Sequence, residues 1–287
     1  QMFASPALLN NLARYGEENA KPVPGLERVI SAGAPARPDV LRKLQGLISK
    51  DGEIHTPYGA TEALPVASIS SREILKETWM ETQRGGGTCV GTPLAGMEVF
   101  IIAIDDGVIE KWSPSLALAQ GEVGEIVVKG PVVTSSYYHR GKSTAFAKIY
   151  GEGKEIYHRM GDLGRFDEQG RLWFCGRKAH RVESPEGSYF TVPSEGVFNT
   201  HPDVYRTALV GVGEPGRQTP VICVEREKSA LAKSRTALKE ELLALARQHE
   251  HTKSIVHFLF HPGFPVDVRH NAKIKRELLA RWAEGIL

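Results

Sequence analysis

The chain has 287 residues, of which 41% are hydrophobic and 24% charged, a composition typical of a globular protein with room for two domains. Its 36 basic and 34 acidic residues leave a formal charge of only +2, and no run of five like charges occurs, which argues against binding nucleic acid or a membrane surface through bulk charge. No apolar stretch approaches the roughly 20 residues of a membrane span, and no secretory signal pattern is present.

Elements of both types are predicted in the first 176 residues. In chain order they are a helix over 41–47, buried strands over 99–104 and 125–128, and a hairpin that pairs 164–167 with 171–175. Glu168, Gln169 and Gly170 supply the turn of that hairpin.

From about Arg177 the pattern changes to that of a small α+β unit. Short apolar strands are predicted over 208–212, 221–224 and 255–260. The helix between the last two carries its apolar stripe at i, i+7, i+11 and i+14, on Leu231, Leu238, Leu242 and Leu245. A final helix has its stripe on Ile274, Leu278 and Trp282.

The three cysteines, Cys89, Cys175 and Cys223, are odd in number and widely spaced. Their spacing predicts neither a disulfide framework nor a zinc site. A reducing cytoplasm is therefore the expected location.

Two glycine-containing segments have features of phosphate loops. Residues 140–143 (RGKS) have the end of a Walker A motif, but Ser136 occupies the position of its first glycine and two tyrosines follow, where bare backbone amides should cradle phosphate. That match fails. Residues 85–88 (GGGT) have no following lysine, and we interpret them as a turn.

Residues 58–62 read Tyr-Gly-Ala-Thr-Glu. They suit a nucleotide, since the ring of Tyr58 can stack on a base, the hydroxyl of Thr61 can bond phosphate and the carboxylate of Glu62 can hold Mg²⁺. The alternative is an ordinary turn that leads into a helix.

Residues 160–164 place Asp162 between two glycines just before the predicted hairpin. An aspartate flanked by glycines is suited to accept hydrogen bonds from both hydroxyls of a ribose. The alternative is an aspartate that caps a turn.

Residues 269–274 (RHNAKI) form a polar segment before the last helix. Lys273 there can serve as a mobile cation for an anionic centre. The alternative is a solvated surface lysine.

These sites occur in the order and approximate spacing of the adenylate-forming superfamily, which includes acyl-CoA synthetases, luciferases and peptide-synthetase adenylation domains. Five segments resemble its signatures: 31–35 (SAGAP) its adenine-flanking segment, 58–62 its YGxTE motif, 161–162 its ribose site, 176–178 its hinge, and 265–273 the loop that delivers a catalytic lysine. The resemblance covers the chain from Ser31 to its end.

The resemblance implies an α/β fold. Residues 1–176 would be the latter part of the large AMP-binding domain, a sheet plus a small β-barrel, and residues 179–287 a hinged small α+β lid domain. Its implied ligands are ATP and Mg²⁺. The implied roles are adenine contact for Gly33, Ala34 and Tyr58, an α-phosphate bond for Thr61, Mg²⁺ for Glu62, ribose for Asp162 and Arg177, the hinge for Lys178, and catalysis for Lys273.

Longer strings resemble the β-lactone-forming branch of the superfamily, which serves olefin biosynthesis. They are residues 56–62, 158–162, 172–178, 198–200 and 267–274. The implied reaction activates a long-chain 3-hydroxy acid as acyl-AMP, releases pyrophosphate and closes the acid to a β-lactone. Association with other enzymes of that pathway is expected, and nucleic acid is not an expected partner.

Two other functions stay open on the sequence. One is a long-chain fatty-acyl-CoA ligase, although Glu183 and Glu186 after the hinge disfavour the phosphates of CoA. The other is a non-catalytic nucleotide-binding half-protein, because the triphosphate loop of the superfamily would lie before Gln1. Since the sequence begins there in mid-pattern without an initiator methionine, we expect it to be part of a longer enzyme.

Overall fold

A computed structural model describes residues 1–33, 36–267 and 273–287. The chain forms two compact units. The first comprises Gln1–Trp79 and Thr88–Phe174, and the second comprises Met80–Gly87 and Cys175–Leu287. The sequence predicted a hinge at Arg177 and Lys178, and that assignment stays a prediction.

The first unit contains most of the strands. They are β1 (Met2–Ala4), β2 (Arg28–Ser31), β3 (Glu53–Ala60), β4 (Ala63–Ser70), β5 (Thr88–Pro93), β6 (Glu98–Ile102), β7 (Gly124–Lys129), β8 (Lys148–Tyr150), β9 (Ile156–Phe166) and β10 (Leu172–Arg177), the last of which continues into the second unit. The helices of this unit are α1 (Pro6–Glu18), α2 (Pro38–Leu47), α3 (Ser71–Glu73) and α5 (Gly141–Ala147). A π-helical turn at Ile74–Thr78 joins α3 to α4 (Trp79–Gln83), which belongs to the second unit except for Trp79.

These ten strands form one mixed sheet in the order β1-β2-β3-β4-β5-β10-β9-β7-β6, with β8 on β9. β1, β2 and β3 are parallel, and β3 is antiparallel to β4. The predicted α/β class is confirmed, and so is the hairpin of β9 with β10. In the described part of the chain β1 and β6 are opposite edges of an open sheet, so the separate small barrel is not seen there.

Helices α1 and α2 cover the parallel end of this sheet. Ser5 and Pro6 start α1, where the Ser5 hydroxyl accepts a hydrogen bond from the Leu8 N–H and the proline occupies the first turn. The helical spacing then directs one face of each helix inward, because apolar residues three and four apart share a face. The core consists of Ala4, Leu9, Ala13, Val29, Val40, Leu41, Leu44, Ile48 and Ile54.

The second unit has the predicted α+β composition. Its strands are β11 (Val182–Ser184), β12 (Gly187–Tyr189), β13 (Val204–Val212), β14 (Thr219–Arg226) and β15 (His257–Phe260), and its helices α6 (Thr191–Phe198), α7 (Arg235–Ala246) and α8 (Arg276–Glu284). β11 and β12 form a hairpin, and β14 is the central strand of a sheet with β13 antiparallel and β15 parallel to it.

Two details of the predicted helices are wrong. Leu231 lies before α7 and is 58% exposed, because α7 begins only at Arg235. At the other end Ile274 precedes α8, and the buried positions of that helix are Leu279 and Ala283. The predicted stripe on Leu278 is therefore displaced by one residue from the face that packs on the sheet.

The three cysteines are buried, and none of them forms a disulfide among the described residues. Burial raises the pKa of the Cys89 and Cys223 thiols to about 12, so both are protonated at neutral pH. Among the described helices, none has the length and apolar character required to cross a membrane.

A buried ion pair lies within the first unit. The guanidinium of Arg159 on β9 donates to a carboxylate oxygen of Glu125 on β7 over 2.7 Å, and both side chains are almost completely buried. The same guanidinium donates to the carbonyl oxygens of Asp105 and Gly107. Because these partners satisfy the charge together, removal of one partner leaves a buried charge without compensation.

Replacement of this carboxylate should destabilise the first unit strongly. We expect Glu125→Ala to lower the free energy of unfolding by about 3–5 kcal/mol, since Arg159 would keep its charge in a low-dielectric interior. Urea denaturation measures the loss. Glu250→Ala, which removes an exposed partner of Lys253, is the control. Equal effects of the two substitutions would contradict the role given to the buried pair.

Candidate functional site

The motif at residues 58–62 forms the end of a β-hairpin. β3 ends at Ala60, Thr61 and Glu62 make the turn, and β4 begins at Ala63, which pairs with Ala60. A turn was predicted here, but the helix after it was wrong, because the apolar residues that follow pair as a strand. Thr61 is exposed at the turn and Glu62 is half-buried.

Glu62 is held by a tyrosine from a distant part of the first unit. The Tyr137 hydroxyl donates to Oε1 of Glu62 over 2.8 Å, and the Thr134 N–H donates to the Glu62 carbonyl over 2.8 Å. Burial alone would raise the pKa of this carboxyl, but the Tyr137 hydrogen bond and nearby positive charge bring the pKa below its usual value. Glu62 is therefore ionised at neutral pH.

Two further titratable groups lie close to Glu62. Lys148 on β8 is 1% exposed and donates to the carbonyl and hydroxyl oxygens of Thr134. Burial lowers its pKa to about 8, although the Glu62 charge opposes that shift. Burial, with the charge of Lys148, lowers the pKa of His158 to about 4, so His158 is neutral at pH 7.

Asp162 lies inside strand β9, and not in the turn that the alternative interpretation required. It is 3% exposed, and its Oδ2 accepts the Tyr58 hydroxyl over 2.7 Å. The structure thus brings together two predicted site residues that are 104 positions apart in the sequence.

A β-bulge turns the backbone at this aspartate. Arg159 pairs with Val127 and Leu163 with Glu125, so three residues of β9 stand opposite one residue of β7. Within the bulge Gly161 has φ of +65°, in the left-handed region that favours glycine. Bulges commonly change the direction of side chains in a strand. Here the glycine of the bulge, Gly161, directly precedes Asp162.

Of the other residues predicted to contact adenine, the structure describes Gly33. Gly33 follows β2 with φ of +98°, in the left-handed region that favours glycine. A Cβ built on it would meet no atom of the described residues within 4 Å, so its backbone conformation accounts for the glycine. Ala34 and Pro35 lie outside the described residues.

The other predicted site residues belong to the second unit. Arg177 is exposed and precedes a 3₁₀ turn formed by Lys178–His180. Lys273 is exposed, whereas residues 268–272 of its predicted loop lie outside the described residues. Burial lowers the pKa of His180, and the charges of Arg276, Arg177 and Lys273 lower it further. Arg177, the predicted ribose residue, and Lys273, the predicted catalytic residue, thus both lower the pKa of His180.

A cavity in the first unit adjoins the tyrosine that holds Glu62. It measures about 560 Å³, and its lining is aromatic, basic and hydroxylic, formed by Tyr137, Arg140, Lys142, Ser143 and Phe146. Three of these residues belong to residues 140–143, which resemble only the end of a Walker A motif.

One cluster in the second unit has the residue types of a metal site. Ligand atoms of His201, Asp203 and Glu241 lie within 4.8 Å of one another. The ammonium of Lys233 already bonds to both carboxylates, at 2.7 Å from Asp203. Because that cation occupies the place of a metal ion, we interpret the cluster as an ion-pair network.

Comparison with known proteins assigns the class. Residues 1–138 match the family described as AMP-binding enzyme. The fold is similar to that of an amide bond synthetase from Marinactinospora thermotolerans, with a TM-score of 0.73 and 26% identity over 98% of this chain and 51% of that one. It is also similar to an o-succinylbenzoate CoA synthetase from Bacillus subtilis solved with ATP and a magnesium ion, with a TM-score of 0.70 and 21% identity over 97% and 51% of the two chains. Residues 1–138 therefore belong to the family of AMP-binding enzymes, as the motifs of the sequence predicted.

Two curated relatives are much more similar in sequence. An olefin β-lactone synthetase of Xanthomonas campestris is 52% identical over 99% of this chain, and one of Stenotrophomonas maltophilia is 51% identical over the whole of this chain. The alignment covers 51% of each relative. The chain therefore spans about half the length of the curated relatives it matches.

The bond from Tyr137 should control the ionisation of Glu62. We expect Tyr137→Phe to raise the pKa of Glu62, because the hydroxyl that stabilises the carboxylate is lost. Carbon-detected NMR titration of labelled glutamate measures the change. Tyr138→Phe, at the neighbouring and 89% exposed ring, is the control. If the pKa of Glu62 is the same in Tyr137→Phe as in the wild type, the hydrogen bond from Tyr137 does not set the ionisation of Glu62.

Lys148 should make stability depend on alkaline pH. Its pKa is lowered from 10.5 to about 8, so between these values the unfolded chain binds more protons than the folded one, and the free energy of unfolding rises with pH. We expect the difference between the wild type and Lys148→Met to increase in favour of the wild type by at most about 3 kcal/mol from pH 8 to pH 10. Urea denaturation across this range tests it, with Lys142→Met on the surface as control. If the difference in the free energy of unfolding does not change with pH, burial does not lower the pKa of Lys148 in the folded protein.

Proposed function

We propose that the protein carrying this chain activates a carboxylic acid with ATP. The acid carboxylate attacks the α-phosphorus, the bond to the β-phosphate oxygen breaks, and acyl-AMP and pyrophosphate form. The observation that supports this most directly is the retention, in one chain, of Glu62, Asp162, Arg177 and Lys273 at positions that match the family motifs.

We further propose that the acid is a long-chain 3-hydroxy acid and the product a β-lactone. The support is the 51–52% identity to two olefin β-lactone synthetases across nearly all of this chain. In the second step the 3-hydroxyl oxygen attacks the acyl carbon, the bond to AMP breaks, and the hydroxyl proton is released. Because nucleophile and acyl group belong to one molecule, much of the entropic cost is met when the substrate is bound in a bent form.

Each site residue has a chemical task in this proposal. Tyr58 and Gly33 are assigned to the adenine, and Thr61 to the α-phosphate. Asp162 and Arg177 are assigned to the ribose hydroxyls. Lys273 supplies positive charge to a transition state in which a carboxylate approaches a phosphate, since like charges meet there.

The residues present suit Mg²⁺. The ion prefers oxygen ligands, and Glu62 offers a half-buried carboxylate that Tyr137 keeps ionised without adding a counter-charge. When bound, Mg²⁺ would offset the charge of the phosphates and polarise them. Glu62 would hold it, and Tyr137 would orient the carboxylate.

The proposed cellular setting rests on sequence features. The three buried cysteines, which form no disulfide among the described residues, support a reducing cytoplasm. Association with other enzymes of olefin biosynthesis is part of the proposal through the relatives' names alone.

Acid-dependent exchange between ATP and pyrophosphate tests the first step in the complete protein. We expect exchange with a long-chain 3-hydroxy acid and a loss of about 10²–10³-fold in Lys273→Ala, as for other aimed electrostatic donors. Lys275→Ala, an exposed lysine two residues away, is the matched control and should retain the rate. Absence of exchange in the unmutated protein would favour a non-catalytic nucleotide-binding protein.

Product analysis tests the second step. Mass spectrometry should find a β-lactone from the 3-hydroxy acid and none from the matched acid without the hydroxyl. A CoA thioester of either acid would instead establish an acyl-CoA ligase.

A further inference from the structure

The backbone around Lys273 is tied to the chain that precedes positions 268–272. Two hydrogen bonds and one bridge make this connection. They run from the Asp267 N–H to the Lys273 carbonyl (2.9 Å), from the Lys275 N–H to the Pro265 carbonyl (2.9 Å), and between Val266 and Ile274 as an antiparallel pair. The main chain of Lys273 therefore has a defined place in the second unit.

The side chain of Lys273 is not committed in the same way. It is exposed and makes no hydrogen bond or ion pair with any residue that the structure describes. A fixed backbone with an uncommitted ammonium is the arrangement that a lysine needs to meet an anionic substrate.

Three residues after Lys273, an arginine anchors the start of α8. The Arg276 guanidinium donates through Nη1 to Oε1 of Glu195 over 2.6 Å and through Nη2 to Oε2 over 3.0 Å. The two side chains are only 15% and 11% exposed. A bidentate pair of this kind fixes direction as well as distance, because both groups are planar.

The pair is fastened in turn to strand β13. Oε1 of Glu195 accepts the Leu209 N–H over 2.8 Å, and Nη1 of Arg276 donates to the Leu209 carbonyl over 3.2 Å. Leu209 is completely buried. Helix α6, strand β13 and the first turn of α8 thus meet at one pair of side chains.

From this geometry we infer that Arg276, oriented by Glu195, is a positioning residue for Lys273. Three peptide units span at most roughly 11 Å, so an anchored Arg276 restricts where Lys273 can lie. Glu195 is the counter-ion of Arg276, so the pair as a whole carries no net charge. The inference rests on the catalytic role proposed for Lys273.

A double-mutant cycle in the complete protein tests the inference. We expect Arg276→Gln to lower kcat for acid-dependent ATP–pyrophosphate exchange by about tenfold or more, with KM for ATP changed by less than about twofold. In a Lys273→Ala background the same substitution should lower the rate by less than about twofold, because a residue that acts through Lys273 has nothing left to position. Arg276→Lys should restore part of kcat.

Arg226→Gln is the matched control. Arg226 lies in the same unit and donates to the carbonyls of Ala230, Leu231 and Lys233, and none of these hydrogen bonds is to the segment around Lys273. Its loss should leave kcat unchanged. If Arg276→Gln does not fold, Glu195→Gln replaces it, since the amide oxygen still accepts the Leu209 N–H while the charge is removed.

The inference is overturned if Arg276→Gln lowers the rate by the same factor with and without Lys273, or if it leaves kcat unchanged. Failure of the proposed function is a different result, because it appears in the unmutated protein as absence of acid-dependent exchange, or in Lys273→Ala as full activity. Either of those results would remove the inference as well.

Discussion

The candidate site depends on two hydrogen bonds in the first unit, in each of which a tyrosine hydroxyl donates to a carboxylate. The Tyr58 hydroxyl donates a hydrogen bond to Asp162, and the Tyr137 hydroxyl donates one to Glu62. A neutral donor stabilises the ionised acid without cancelling its charge, whereas an arginine would satisfy the same oxygens and neutralise them. Arg159 neutralises Glu125 in this way, and their buried ion pair stabilises the fold.

Strand β9 brings these two uses of charge together. Arg159, buried against Glu125, and Asp162, bonded to Tyr58, are three residues apart on it. In a regular strand, residues three apart point to opposite faces. The bulge at Gly161 interrupts the register between them, so the direction of Asp162 is set by one glycine in a left-handed conformation.

The sequence predicted the elements better than their partners. Helix α2, strands β6 and β7 and the hairpin of β9 with β10 follow from periodicity and turn residues, which are local signals. The displaced stripe of α8 arose because a small buried residue, Ala283, carries less weight in such a pattern than Leu278. The bond between Tyr137 and Glu62 joins residues 75 positions apart, and no local pattern encodes which tyrosine the sheet will bring to a given acid.

The burial of all three cysteines has a practical consequence for experiments on movement. A thiol with its pKa near 12 has almost no thiolate at neutral pH and is inaccessible to bulky reagents, as at Cys89 and Cys223. A cysteine introduced at an exposed position in this chain can therefore carry a fluorophore or spin label against a silent background, without prior removal of the natural thiols. Distances between two such labels, one in each unit, can then be followed as nucleotide is added.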